Sequence, residues 1–336
     1  MEASDRTRGI DQMEQGVIPQ ESQESAESLP ASLGRALPTL PVDQRSMAAE
    51  PPSRQPAGHS CASCTRDEAA YERPGSRGGI TPPYVYALGR IEARFPSLAI
   101  EKELAQATGR AETASLTDRQ ALGTVLSDPQ NRYLSRQLCY VLSVQGLETY
   151  ILQPRDPADF ELLIEILGSP PKPSDLHVVI GLRGPVAPPE LCNGLMLPMV
   201  AFDQIYAFTT DSLVRALPKP AHIEEQPFVS ASEEMLQRLT QLTDNAGATD
   251  EHRALNYLAV RYPAIYAKSA EAFATGSSLT AIETRPSRLS GVRRILDVNF
   301  SYTSRQTDVT EKFFVRVDVT EEFPFLVTKL SPYYDR

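Results

Sequence analysis

The chain has 336 residues, a formal net charge of -10, a pI near 5.1 and 41% hydrophobic residues. Phosphate binding needs a basic face, so this balance argues against nucleic acid or an anionic membrane surface as the main partner. The nearest thing to a basic patch, Arg288, Arg293 and Arg294, reads as scattered arginines on a solvated strand edge.

From Met1 to about Gly79 the chain is rich in Ser, Pro, Gln, Glu and Arg, with almost no aromatic or β-branched residues. Such a segment buries too little apolar surface to offset its ordering entropy, which predicts a disordered tail over 1–80. The opening MEASDRTRGIDQMEQ lacks the basic and apolar regions of a signal peptide. No run approaches the ~20 apolar residues of a membrane span. A soluble, cytoplasmic chain is expected. Its four cysteines are then expected to be reduced, with no disulfide framework. The remaining stretch, 81–336, suits one domain.

Order begins after Pro82-Pro83, where Tyr84–Leu88 reads as a strand. Pro96-Ser97 opens a helix that runs towards Thr108 and stops at Gly109. Thr117 and Gln120 form a capping-box pattern before Ala121, Leu122, Val125 and Leu126. Leu138–Val144 and Leu147–Leu152 flank Gln145-Gly146, which predicts a tight hairpin. Asp156-Pro157 starts a helix, since Asp accepts from orphan N–H groups and Pro at the first position loses no bond. Phe160, Leu163, Ile164 and Leu167 follow at helical spacing up to Gly168. Val178–Ile180 reads as a buried strand leading into a Gly/Pro-rich loop, Gly181–Pro189.

Ser230 and Glu233 form a capping box for a helix with Met235, Leu236, Leu239 and Leu242 on one face. Asp250 caps the next, and Pro263 begins a third that runs to about Phe273. The pattern then switches to period two. Leu296, Val298, Phe300 and Tyr302 alternate with polar residues, and Val315, Val317 and Val319 do likewise across the loop Ser304–Thr310. An antiparallel pair with one face on the helices is expected. Strands and helices mix without a regular βαβ repeat, so the expectation is α+β, an antiparallel-rich mixed sheet packed with helices.

Few residues suggest chemistry. Cys61-Ala62-Ser63-Cys64, with His59 nearby, has zinc-ligand spacing, and Cys139 and Cys192 could complete four ligands. Against this, no second C-x-x-C exists, and Cys139 reads as a small hydrophobe in a strand. The Gly181–Gly194 segment could present Arg183, Glu190 and Asn193 to a ligand, with Asp203 close behind in sequence, or could be a rigid connector. No phosphate-loop, nucleophile-elbow or zinc-protease motif is present. His177 reads as a satisfied core or edge residue, His252 as a solvated first-turn residue, and Glu321-Glu322 as a solvated turn before Pro324.

Several stretches carry a resemblance: YVYALGRIEARFPSLAIEKE (84–103), NRYLSRQLCYVL (131–142), GLETYILQPRDPADFELL (146–163), VVIGLRGPVAPPELCNGL (178–195), AFDQIYAF (201–208) and RQTDVTEKFFVRVDVTEEFPFLVTKLSPYYDR (305–336). Together they resemble the C-terminal domain of the PatG and PatA cyanobactin maturation proteins, a domain of unknown function. The resemblance implies a place in the maturation of ribosomally made, modified and cyclised peptides. In that family a subtilisin-like protease or macrocyclase precedes the domain. Met1–Gly79 is too short to hold one, so protease and cyclase activities are not carried over. The expectation is a non-catalytic binding or scaffold module that recruits a precursor peptide or a maturation enzyme, with a homodimer as a further option. A peptide-modifying enzyme and a zinc-stabilised structural protein stand as alternatives.

Overall fold

The structure, a computed structural model, describes residues 83–110, 118–169, 171–242 and 244–334. The expected tail at 1–80, with Cys61 and Cys64, lies outside them, as does Thr117 of the first capping box. The first half of the described chain gives β1 (Tyr84–Arg94), α1 (Leu98–Arg110), α2 (Asp118–Ser127), α3 (Arg132–Ser135), β2 (Cys139–Val144), β3 (Leu147–Pro154), α4 (Phe160–Gly168), β4 (Asp175–Val186) and β5 (Pro198–Thr209). Then come α5 (Thr210–Ala216), α6 (Glu225–Thr240), α7 (Asp250–Arg261), α8 (Ala264–Ala274), β6 (Ser277–Pro286), β7 (Ile295–Ser304), β8 (Thr310–Asp318) and β9 (Phe325–Tyr333). The fold is α+β. In place of one mixed sheet the strands form two: a closed five-stranded barrel, β1-β2-β3-β5-β4, and an antiparallel four-stranded sheet, β6-β7-β8-β9.

Local chemistry explains most of these elements. Gln145 and Gly146 both have positive φ, 52° and 83°, the geometry of a type I′ hairpin turn, which twists with its strands. Asp156 accepts from the Ala158 N–H at 2.9 Å and caps a 3₁₀ turn, Pro157–Asp159, that leads into α4. Two sequence-based boundaries move. Ser230 lies inside α6, which begins five residues earlier at Glu225, so its capping pattern goes unused. Asp250 is the first residue of α7; the cap is Thr249, whose hydroxyl accepts from the His252 N–H. The expected loop after Ile180 is also shorter than its glycines suggest. Gly181–Val186 stays in β4 and pairs with β5, with register shifts at Ile180/Gly181 and Arg183/Val186. A Cβ on Gly181 would meet the Ala201 carbonyl oxygen at 2.3 Å, so this glycine serves close strand approach.

The barrel is filled by cross-strand partners on one common face. Ile91 pairs with Leu142, Ala87 with Val179, and Leu142 with Tyr150, all buried in one cluster with residues of α1, α2 and α4. The helices α2 and α4 cross at Gly123 and Gly168, where a Cβ on Gly123 would sit 2.3 Å from the Gly168 Cα. On the opposite face of β1 and β4, Tyr86, Leu88, Val178 and Ile180 join a second cluster with α6, α7, α8 and the four-stranded sheet. Val298, Phe300, Val315 and Val317 supply the sheet's side, as their period-two spacing anticipates.

Helix α7 is buried on most of its surface, through Arg253, Ala254, Leu255, Asn256, Leu258, Ala259 and Val260. Burial of polar groups at that depth requires partners. Asn256 donates to the Tyr86 carbonyl at 2.8 Å and exchanges amide hydrogen bonds with Asn245, while the Tyr86 N–H donates to the Gly247 carbonyl at 2.9 Å. These contacts tie β1 to the segment leading into α7.

Candidate functional site

The residues nominated from sequence do not converge on one centre. Arg183, near the end of β4, and Glu190 and Asn193, beyond it, are exposed. Asn193 has a backbone role: with φ 48° it precedes Gly194, φ 86°, in a turn whose Gly194 N–H donates to the Pro189 carbonyl at 2.7 Å. Asp203, in β5, is half-buried and belongs to an ionic cluster described below.

The segment from Ala187 to Leu197 is fastened to the barrel by a disulfide between Cys139 of β2 and Cys192, with Cα atoms 5.7 Å apart. This corrects the expectation of reduced thiols. Both cysteines are buried with Val141, Ile151 and Ala187 on the barrel's outer face, so the small-hydrophobe reading of Cys139 holds for its burial and misses its bond. Sequence distance hid the pairing, because 53 residues separate the two sulfurs' positions. As a disulfide, Cys139 and Cys192 offer no thiolate to zinc. Among the described residues no group of three or more His, Cys, Asp or Glu is placed to hold a metal ion.

Beside this disulfide lies a cleft of about 380 Å³. Its floor is Tyr140, Ile151, Leu152 and Phe160, and its wall is Glu190 and Leu191 next to Cys192. The Tyr140 and Phe160 rings pack at 6.2 Å, fixing the floor. The cleft opens where the β2–β3 ladder ends: the last antiparallel pair is Tyr140↔Leu152, while Gln153 and Pro154 continue only along β5.

A second site was not legible as a unit. Arg155, just after β3, bonds Asp203 of β5 at 2.6 Å and stands 4.0 Å from Glu322, in the turn between β8 and β9. Glu322 is only 16% exposed, which corrects the solvated-turn reading; Glu321 beside it is exposed. Burial, together with a hydrogen bond to Asp203 and its charge, raises the Glu322 pKa to about 7. Burial also acts to raise Asp203, but hydrogen bonds from Glu322 and Arg155 outweigh it and hold Asp203 below the usual carboxylate range. The pair therefore retains one proton up to near-neutral pH, held on Glu322 and donated to Asp203.

Arg253 of α7 places that turn. It is 1% exposed and donates to the carbonyls of Val319 at 2.8 Å, Glu322 at 3.2 Å, and Glu321. It also lies 5.2 Å from the Tyr84 ring centroid and 3.6 Å from Asp250. Burial lowers its pKa to about 10, which still leaves it charged at neutral pH. No local signal marks Arg253 as an anchor of this turn, because the carbonyls it binds lie 66 to 69 residues away.

Two of the three arginines noted as a basic cluster in the sequence are held by carboxylates. Arg293 pairs with Asp318 and Arg294 with Asp250 at 2.7 Å, while Arg288 has neither bond. His177 is buried and its Nδ1 accepts from the Ile91 N–H at 2.8 Å, as a satisfied core histidine should. His252 is half-buried, not solvated, and burial lowers its pKa.

Residues 222–333 match a family model described as the PatG C-terminal domain. A solved structure described as the PatG domain of unknown function has a TM-score of 0.62 to this chain, covering 75% of it and 99% of that chain at 22% identity. The fold is that of a PatG domain of unknown function. No curated protein matches. The PatG-like family segment takes in α6, α7, α8 and the four-stranded sheet, and so Arg253 and Glu322. Asp203 and Arg155 come from the barrel that precedes it. No helix among the described residues is long and apolar enough to cross a membrane.

Proposed function

We propose that this chain is a binding module in the maturation of ribosomally made, modified peptides, recruiting a precursor peptide or a partner enzyme. The observations that support this reading are the match of residues 222–333 to the PatG C-terminal model and a fold shared with the PatG domain of unknown function over 75% of the chain. A free strand edge supplies a physical means. β6 ends the four-stranded sheet, and its outer edge pairs with no other strand among the described residues. Such an edge can accept an extended peptide as an added strand, with main-chain bonds supplying affinity and alternate side chains specificity.

The test is a titration of the isotope-labelled full chain with a precursor peptide encoded beside its gene. Saturable heat in calorimetry and amide shifts confined to β6 support the reading. No heat at high peptide concentration, or shifts nowhere in the sheet, overturns recruitment by this edge.

One observation favours a second reading, a peptide-modifying enzyme. The Asp203–Glu322 pair holds one proton near neutral pH beside Arg155, a combination suited to general acid–base work. Mass spectrometry of the precursor after incubation decides this. A mass change that vanishes in Glu322→Gln supports an enzyme; an unaltered precursor removes it.

A further inference from the structure

We infer that the cleft at the end of the β2–β3 ladder is a binding site for a short, extended, apolar peptide segment bearing a carboxylate. This rests on the recruitment reading only for the class of ligand; the site is separate from the β6 edge. At about 380 Å³ the cleft falls in the ~300–1,000 Å³ range of sites that bury small ligands. Its floor is apolar and aromatic, and its polar groups are few and placed around the rim, the usual division between affinity and orientation.

Three features select an extended peptide. First, the pairing of β3 with β2 ends at Tyr140↔Leu152, and Gln153 and Pro154 pair only with β5, so the Gln153 main chain beside the cleft makes no ladder bond to β2. An extended peptide can bond the main-chain groups left there. Second, the exposed amide side chains of Gln137 and Gln153 border the cleft and can each both donate to and accept from a peptide main chain. Third, Arg136 lines the cleft, is exposed, and forms no ion pair or side-chain hydrogen bond among the described residues. A guanidinium free to make a bidentate bond is matched by a carboxylate. Glu190 also lines the cleft, and its charge disfavours a ligand carboxylate next to it, which leaves Arg136 as the partner for that group.

The wall itself is held in place. Glu190 and Leu191 immediately precede Cys192, whose bond to Cys139 anchors them against the barrel. A fixed wall lowers the ordering cost of binding.

The probe is acetyl-Leu-Phe-Val with a free C-terminal carboxylate, compared with its C-terminal amide, added to the full chain and followed by amide shifts and calorimetry. The free acid is expected to saturate with shifts at Gln153 and Leu191, and the amide to bind about tenfold more weakly, the loss of one charge-assisted bond. Arg136→Gln, an exposed change that should leave folding intact, is expected to bring the acid to the level of the amide. Equal binding of acid and amide, an unaffected Arg136→Gln variant, or no saturation at millimolar peptide overturns the proposal. A chain that binds the precursor at β6 but not the tripeptide loses this site and keeps the recruitment reading; the converse result loses the recruitment reading and keeps the site.

Discussion

Glu322 shows how one side chain's position couples charge to stability. Its folded pKa of about 7 exceeds the ordinary 4.5, so between these values the folded chain binds a proton that the unfolded chain has released. The unfolded state then binds fewer protons, and stability falls as pH rises from about 4.5 to 7. Asp203, held below its ordinary value, acts in the opposite sense and at more acidic pH. Relative to Glu322→Gln, the native chain should therefore lose urea midpoint as pH rises across this range, a difference that separates this carboxyl from His252, whose lowered pKa acts in the opposite sense. Arg253 gives a larger effect. Replacing it with Met leaves the carbonyls of Val319 and Glu322 without their charged donor, and should cost roughly 3 kcal/mol in denaturant unfolding. Asp203 was nominated from sequence, but Arg155, Arg253 and Glu322 were not. Their meeting depends on three segments far apart in the chain, and no spacing rule reports that.

At the scale of elements, legibility followed locality. The Gln145-Gly146 hairpin and the Asp156-Pro157 start were readable because their chemistry acts within four residues. β6 and β9 carry weaker alternation and went unread, as did β5; their identity as strands comes from pairing with β7, β8 and β4. Gly181–Pro189 misled because glycine marks a turn in one setting and close strand contact in another. The Cys139–Cys192 bond was hidden for the same reason of distance. In the chain-entropy account, closing a loop of this length contributes about 4 kcal/mol. Cys192→Ser should therefore lower the unfolding midpoint. It should also speed hydrogen exchange first in 187–197, the segment the bond fastens, before the barrel interior is affected.

For the molecule as a whole, the two sheets are joined through α7, which shares a core with the outer face of β1 and β4 and with the four-stranded sheet. Class and six of the eight α-helices were readable, with α3 and α5 missed; the division into barrel and sheet was not readable, since period two tells a strand from a helix and says nothing of which strands close on one another. One outcome follows for the 222–333 segment. Expressed alone it would lack Tyr86, Leu88, Val178 and Ile180, leaving α7 with an exposed apolar face. It should give poor amide dispersion and aggregate, while a chain starting at Pro83 should stay dispersed and monodisperse.

β1 adds a matter of timing. It is the first of the described strands to leave the ribosome, yet it pairs with β4, and its Tyr86 carbonyl waits for Asn256, 170 residues later. At about 5–20 residues per second, that interval is roughly 10–30 s. β2 and β4 arrive earlier and pair with it, but the face bearing Tyr86 and Leu88 lacks the helix that covers it until the interval ends, and is exposed to wrong partners until then.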